Sequence, residues 1–252
     1  MKIVVVGGHG LAGSKIVDHL GEQGHDVVSA SRRTGVDAVA ADGLAEALDG
    51  AEVVVDACNS PSFADDAVME FFTTSTRNIL AAGQAAGVGH HLALSVVGCD
   101  RLVGSGYMRA KVAQEQLVTV GPLPYTIVRA TQFFTFIPAI ADAATAGDTV
   151  RLPSARFQPV ATEDLARSVD AIAMGSAVNG IVEVGGPEPF RIDALIRQAL
   201  SARHDPRRVV VDPDARYFGA ELAPGSLMPG ELAQLGEMRF ADWLGSPAAS
   251  HS

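Results

Sequence analysis

The sequence predicts an α/β chain, a doubly wound parallel sheet carrying a small C-terminal lobe. Three observations support this. Short β-branched runs alternate with longer stretches of helical spacing, several of those runs are apolar without interruption, and a glycine-rich turn follows the first of them. Uninterrupted apolar runs suit strands buried on both faces, and strand, helix, strand in succession implies right-handed crossovers between parallel neighbours. With 252 residues, 48% of them apolar, the chain can bury a core as a single domain spanning 1–252. Residues 1–135 form the sheet half and 136–252 a mixed lobe that adds late strands.

The elements follow in order. Residues 3–6 open as a strand. Ala12, Ile16, Val17 and Leu20 recur on one helical face, with Gly21 and Gly24 as its stop. Strands at 26–29 and 53–57 come next. Val68, Phe71, Phe72, Ser75, Ile79 and Ala82 share a second face, stopped by Gly83 and Gly87. After a strand at 91–95, Val112, Ala113, Gln116, Leu117 and Val120 form the apolar stripe of a third helix, closed by Gly121-Pro122, and residues 125–129 make a fifth strand. The rhythm then loosens: a helix over 136–146, a short strand at 157–160, and a helix capped by Thr162 with Glu163 and Asp164 in its first turn. A strand at 181–184 is broken by Gly185-Gly186-Pro187, and 191–203 is helical. Residues 204–252 are rich in Pro, Gly and Ala and weakly periodic.

Composition removes several classes of partner. With 29 acidic against 19 basic side chains the net charge is -10, whereas nucleic-acid binders show a basic surplus or stripe. Cys58 and Cys99 form no CxxC pair or Cys/His cluster, so neither a zinc site nor a disulfide is expected, and two thiols suit a reducing compartment. His90 and His91 are adjacent on a strand and point to opposite faces, which rules out their sharing a metal. The opening apolar run ends at Gly7-Gly8, too short for the h-region of a signal peptide, about 7–15 residues. No apolar run is long enough to span a membrane. These readings point to a cytoplasmic monomer or homodimer that acts on a small molecule.

Gly7, Gly10 and Gly13 lie between the first strand and the first helix, which Leu11 opens. Gly7 permits a tight turn, Gly10 lets a pyrophosphate approach the backbone, and Gly13 lets helix and strand pack closely. Free N–H groups and the helix dipole then face the phosphates. His9 sits on the surface of this loop, within reach of phosphate. NAD binders place a carboxylate about 20 residues further on; here Ser29-Ala30-Ser31-Arg32-Arg33 stands instead. Two guanidiniums and the Ser31 hydroxyl suit a ribose 2′-phosphate, so NADP(H) is preferred and NAD(H) is the alternative.

This spacing resembles the short-chain dehydrogenase/reductase superfamily, and within it the atypical, NmrA-like, NAD(P)H-binding branch. The likeness extends through Ala41-Asp42-Gly43, Val55-Asp56-Ala57-Cys58-Asn59, Thr126 to Phe134, Pro159 to Ala166 and Gly186-Pro187-Glu188. The resemblance implies a Rossmann fold, with Asp42 near the adenine, Ala57, Cys58 and Asn59 along the cofactor, and 129–134 approaching the nicotinamide side.

The superfamily's chemistry rests on Tyr-x-x-x-Lys, which Tyr107 and Lys111 supply, and Ser95 resembles its strand-end serine. Residues i and i+4 share a helical face, so the Lys111 ammonium is expected near the Tyr107 phenol, lowering its pKa from about 10 towards neutrality. The resemblance further implies that Lys111 holds the nicotinamide ribose and that Ser95 hydrogen-bonds the substrate oxygen. Phe133, Phe134 and Phe136 are either core or the wall of an apolar substrate pocket, over which Tyr217-Phe218-Gly219 closes. Three functions follow from the resemblance: an NADPH-dependent reductase of an apolar carbonyl or quinone, a sensor that binds NADP(H) without turnover, and a tailoring enzyme of aromatic polyketides, including an oxygenase.

Overall fold

The computed structural model describes residues 1–246 and Ala249. Residues 247, 248 and 250–252, the end of the weakly periodic tail, lie outside the described residues. The strands are β1 (Lys2–Val6), β2 (Asp26–Ala30), β3 (Val53–Asp56), β4 (His90–Val96), β5 (Tyr125–Ala130), β6 (Thr145–Ala146), β7 (Thr149–Leu152), β8 (Arg156–Phe157), β9 (Gly180–Gly185), β10 (Phe190–Arg191), β11 (Arg208–Val211) and β12 (Gln234–Leu235). The α-helices are α1 (Leu11–Glu22), α2 (Leu44–Leu48), α3 (Asp65–Ala86), α4 (Gly106–Thr119), α5 (Ile137–Ala143), α6 (Thr162–Ala173), α7 (Ile192–Ala202) and α8 (Phe240–Leu244).

Seven strands form one sheet in the order β12-β9-β5-β4-β3-β1-β2, with every neighbouring pair parallel. This is the doubly wound, Rossmann-type sheet that the sequence predicts. Side chains alternate across a strand, so a strand covered on both faces needs apolar residues at every position. β1 obeys this: Ile3 and Val5 pack with Ile16 and Leu20 of α1 and Leu165 and Val169 of α6, while Val4 and Val6 pack with Leu44 and Leu48 of α2 and Ile79 of α3.

A second core holds the rest of the chain. Phe134, Phe157, Ile192, Leu195, Phe240 and Trp243 are buried together, and the Phe134 ring lies 5.1 Å from that of Phe240. The antiparallel pair β8–β10 and a three-stranded sheet, β11-β7-β6, frame it. Leu102, Met108 and Tyr217 belong to the same core, which anchors the lobe to the start of α4.

Several boundaries differ from the sequence reading. Gly21 lies within α1, and the chain turns at Gln23 and at Gly24, whose φ is +84°. Gly83 lies within α3, where a Cβ would come 2.9 Å from Leu123; its part is close packing, and Gly87 at φ +74° ends the helix. The helix over 136–146 is a 3₁₀ turn (Phe134–Phe136) followed by the shorter α5, because residues 145 and 146 pair with β7. Thr162 is the first residue of α6 and Ala161 its cap; the Thr162 hydroxyl donates to the Glu163 carboxylate rather than capping a backbone N–H. The strand at 157–160 is the short β8 plus a bridge from Val160 to Phe133.

The largest difference is the face of α4. The apolar stripe read from the sequence is not the buried one: Lys111, Gln114, Glu115 and Val118 are buried, and Val120 is 81% exposed. A polar face goes inside when each group finds a partner there, and these do.

Candidate active site

The connection from β1 runs to β2 on one side and β3 lies on the other, which opens a crevice at the carboxyl ends of the strands. A cavity of about 840 Å³ follows that edge, lined by residues after β2, β1, β3, β4 and β5 in turn. β2 and β5 are four strand spacings apart, about 19 Å, an extended span that suits a dinucleotide.

At the β1 end the glycine loop leaves no room for side chains. Gly7 has φ +84°, and a Cβ there would lie 2.6 Å from the Ala57 carbonyl oxygen; one on Gly13 would lie 2.2 Å from the Gly7 carbonyl. Gly8, which the spacing pattern leaves out, is equally confined, with a Cβ meeting Ser29 Oγ at 2.5 Å. Gly10 is the N-cap of α1, and no side chain caps that helix, so its first-turn N–H groups are left to the cavity beside Leu11.

His9 Nδ1 lies 2.9 Å from Ser31 Oγ and 3.1 Å from Ser29 Oγ, fastening this loop to the turn after β2. That turn, Arg32–Thr34, is locked by reciprocal bonds: Arg33 N donates to Ser31 Oγ and Ser31 N to Thr34 Oγ1. Ser31, Arg32 and Arg33 all line the cavity, and no described residue pairs with either guanidinium. Asp42 does not reach the cavity. It is exposed, and its backbone carbonyl accepts from Asp37 N; Asp37, from the same loop, lines the wall instead.

At the β4 end, Tyr107 is the second residue of α4. Its hydroxyl donates to Asn59 Oδ1 at 3.2 Å, and its ring lies 5.7 Å from those of Phe63 and Phe72. Lys111 Nζ turns away from it, donating to the Leu94 carbonyl at 2.7 Å and to Gln114 Oε1, and sitting 4.2 Å over the Phe72 ring. Gln114 passes the chain on, donating to Asp56 Oδ2 at 2.9 Å. Burial brings the Lys111 pKa down to about 8, with Asp56 opposing it, and pushes the Tyr107 phenol up to about 12. The expected lowering of the tyrosine by the lysine is therefore not found: loss of water raises the phenol, with Cys99 adding to it, while the ammonium is engaged by a carbonyl and an amide.

Ser95 also has a different partner from the one expected. Its hydroxyl donates to Glu115 Oε1 at 2.5 Å, which leaves the oxygen able only to accept. Glu115 is gripped from the other side by Arg129, through Nε at 2.9 Å and Nη2 at 2.7 Å, and Arg129 reaches Asp100 at 2.8 Å. Arg129 is thus committed to this buried pair and does not line the cavity; Thr131, Gln132 and Phe133 do. Phe133 and Phe136 belong to the wall, with Tyr217 and Phe218, whereas Phe134 is core against Phe240 and Trp243. Cys58 and Asn59 line the wall after β3, with Ala57.

Gln114 and Glu115 escape the sequence reading, which includes Gln132 only within the 129–134 stretch. The first two carried a signal, since Lys111, Gln114 and Glu115 fall at i, i+3 and i+4, one face of a helix. Gln132 is buried, and neither atom of its amide has a partner among the described residues. An uncapped helix start, a glycine cradle, two unpaired guanidiniums and an unpartnered amide along one crevice fit a dinucleotide.

A family model described as NAD(P)H-binding matches residues 7–172. No curated protein gives a significant match. Among solved structures, a short-chain dehydrogenase/reductase superfamily protein from Agrobacterium tumefaciens with bound NAD is similar at TM-score 0.72 and 19% identity, covering 99% of this chain and 96% of that one. UDP-glucose 4-epimerase from Thermotoga maritima, with UDP-glucose, gives 0.74 and 16%, covering 97% and 96%. dTDP-4-dehydrorhamnose reductase from Bacillus anthracis, in complex with NADP, gives 0.68 and 14%, covering 88% and 86%. At these identities the likeness is one of fold. Among the described residues no helix is long and apolar enough to cross a membrane.

Proposed function

The chain belongs to the NAD(P)H-binding family, and from that premise we propose that it is an NADPH-dependent reductase of a carbonyl or quinone in a small, largely apolar molecule. One observation carries this reading: the glycine loop and the Ser31-Arg32-Arg33 turn share a cavity with Tyr107 and an apolar wall that includes Phe133, Phe136 and Phe218. Arg32, Arg33 and Lys111 are the only cationic Lys or Arg side chains along it among the described residues, and Lys111 is fully engaged. A diphosphate substrate, such as the UDP-glucose bound to the Thermotoga maritima neighbour, would find no cation at the β5 end.

In this reading α1 holds a pyrophosphate by its N–H groups, and Arg32 and Arg33 hold a 2′-phosphate. Bound there, a dihydronicotinamide supplies hydride. Tyr107 stays protonated at neutral pH, the state needed to give a proton from Oη to the carbonyl oxygen as that carbon is reduced to an alcohol. Lys111 positions the tyrosine by fixing Phe72, against which the phenol packs, and by tying α4 to β4. Ser95 can only accept, so it serves a donor, the phenol or a hydroxyl on the substrate.

Mixing the protein with NADPH and a panel of quinones and aromatic ketones tests the proposal. Substrate-dependent loss of NADPH absorbance is expected, and Tyr107→Phe should slow it by about 10²–10⁴-fold with cofactor affinity unchanged. Tight NADPH binding without oxidation in the presence of any panel member would sink it. A second reading, an NADP(H)-binding sensor without turnover, is favoured by the Tyr107 hydroxyl's bond to Asn59 and by Ser95's commitment to Glu115. It predicts that Tyr107→Phe changes nothing measurable.

A further inference from the structure

We propose that the mouth of the cavity is an aromatic jaw built to take a neutral, planar, fused-ring ketone or quinone, with Phe218 as the residue that selects for planarity; this rests on the reductase reading. The first observation is conformational. Tyr217 N donates to the Ala220 carbonyl at 2.8 Å and Ala220 N to the Tyr217 carbonyl at 3.0 Å, closing a tight two-residue turn. Both central residues have positive φ, +46° at Phe218 and +86° at Gly219, the backbone that favours Asn-Gly. A phenylalanine in that conformation costs free energy. The ring held at that cost remains 42% exposed, so much of its surface is left open to the cavity rather than packed in the core.

The second observation is what the ring does there. It lies nearly parallel to Phe136, centroids 5.8 Å apart with 27° between planes, and edge-on to Tyr217 at 4.9 Å. A second pair comes from other elements: Phe63, 60% exposed, packs 5.7 Å from Tyr107. All of these rings line the one cavity. Two exposed aromatic faces, one of them next to the proton donor, suit a flat ring that exchanges its own hydration for stacking. Among the described residues no unpaired cation stands at this end to reward an anionic substituent: Lys111 is held by the Leu94 carbonyl and Gln114, Asp65 carries the opposite sign, and the two unpaired guanidiniums stand after β2, four strand spacings from β5.

The test is binding to the protein loaded with NADP⁺, so that it does not depend on turnover. Acetylnaphthalene and its fully saturated analogue acetyldecalin carry the same ketone on flat and puckered frames, and calorimetry compares them. Wild type should bind the flat ligand about tenfold more tightly. Phe218→Ala should remove most of that preference, Phe218→Tyr should keep it, and NADP⁺ affinity should be the same in all three. Equal or undetectable binding of both ligands by wild type, or a preference that survives Phe218→Ala, overturns the jaw. The two readings fail separately: preference without NADPH oxidation keeps the jaw and removes the reductase, and oxidation of both ketones at equal kcat/KM does the reverse.

Discussion

The β1–α1 loop with the turn after β2, and the β4–α4 unit, meet at one cavity but are held by different kinds of constraint. In the first, neighbours close in space leave no volume: side-chain atoms on Gly7, Gly8 or Gly13 would overlap the Ala57 carbonyl, the Ser29 hydroxyl and the Gly7 carbonyl. In the second, polar groups are drawn inside by partners on other elements, Ser95 and Arg129 on Glu115 and Asp56 on Gln114, with Lys111 joining Gln114 from one turn away. Steric exclusion writes itself into residue type at fixed spacing. A buried network leaves each residue type ordinary and puts the information in the pairing.

Glu115→Ala tests that contrast most severely. It leaves the buried Arg129 guanidinium with only Asp100, which is itself exposed, and takes the acceptor from Ser95 and the Cys99 thiol. Breaking a buried pair from one side costs about 3–5 kcal/mol. Urea unfolding should show a loss of that size, and a loss below about 1 kcal/mol would mean the network is not what holds α4 against β4 and β5.

The same contrast explains how much was legible beforehand. The sheet strands β1 to β5 and β9 read directly from short β-branched or apolar runs, uninterrupted in β1, where burial on both faces demands it. The glycine loop read directly because only glycine fits. The face of α4 did not: Val112, Ala113 and Val120 looked like the inner stripe, and nothing local says that Glu115 has Arg129 waiting on β5. The pKa expected of Tyr107 failed for the same reason, since spacing places Lys111 on the right face but not the Leu94 carbonyl and Gln114 that hold its ammonium. Phe134 and Phe136, two positions apart in one turn, were separated into core and wall by Phe240 and Trp243, about a hundred residues later.

His91 is the member of β4 that the network does not serve. It is fully buried, neither ring nitrogen has a partner among the described residues, and burial lowers its pKa from 6.5 to about 4, with Asp56 opposing. The folded value lies below the unfolded one, so the unfolded chain binds more protons between them. The contribution is complete above pH 6.5 and is lost as the pH falls towards about 4. These two values correspond to about 2 kcal/mol lost between about pH 7.5 and 5. In His91→Leu that part of the acid sensitivity should vanish, and the variant should be at least as stable as wild type at neutral pH, because two unpartnered nitrogens are gone. An unchanged pH slope in urea unfolding would place the titration elsewhere.

The smallest effect belongs to the cofactor side, and it separates function from stability. The turn after β2 is held by Ser31 and Thr34 through backbone N–H groups, and no described residue pairs with the Arg32 or Arg33 guanidinium. Removing Arg32 should therefore leave the unfolding midpoint where it is. A charge-assisted bond to a phosphate contributes about 1.4 kcal/mol here, so Arg32→Ala should reduce the preference for NADPH over NADH by about tenfold, with NADH affinity unchanged. Because both arginines are exposed at the cavity rim, raising salt should erode the wild-type preference and leave that of the variant nearly flat. Fluorescence titration of the two cofactors at low and high salt reads both effects. A loss that falls equally on NADPH and NADH would assign Arg32 to the shared pyrophosphate, and the choice of cofactor would then rest on Arg33 or on Asp37 across the same wall.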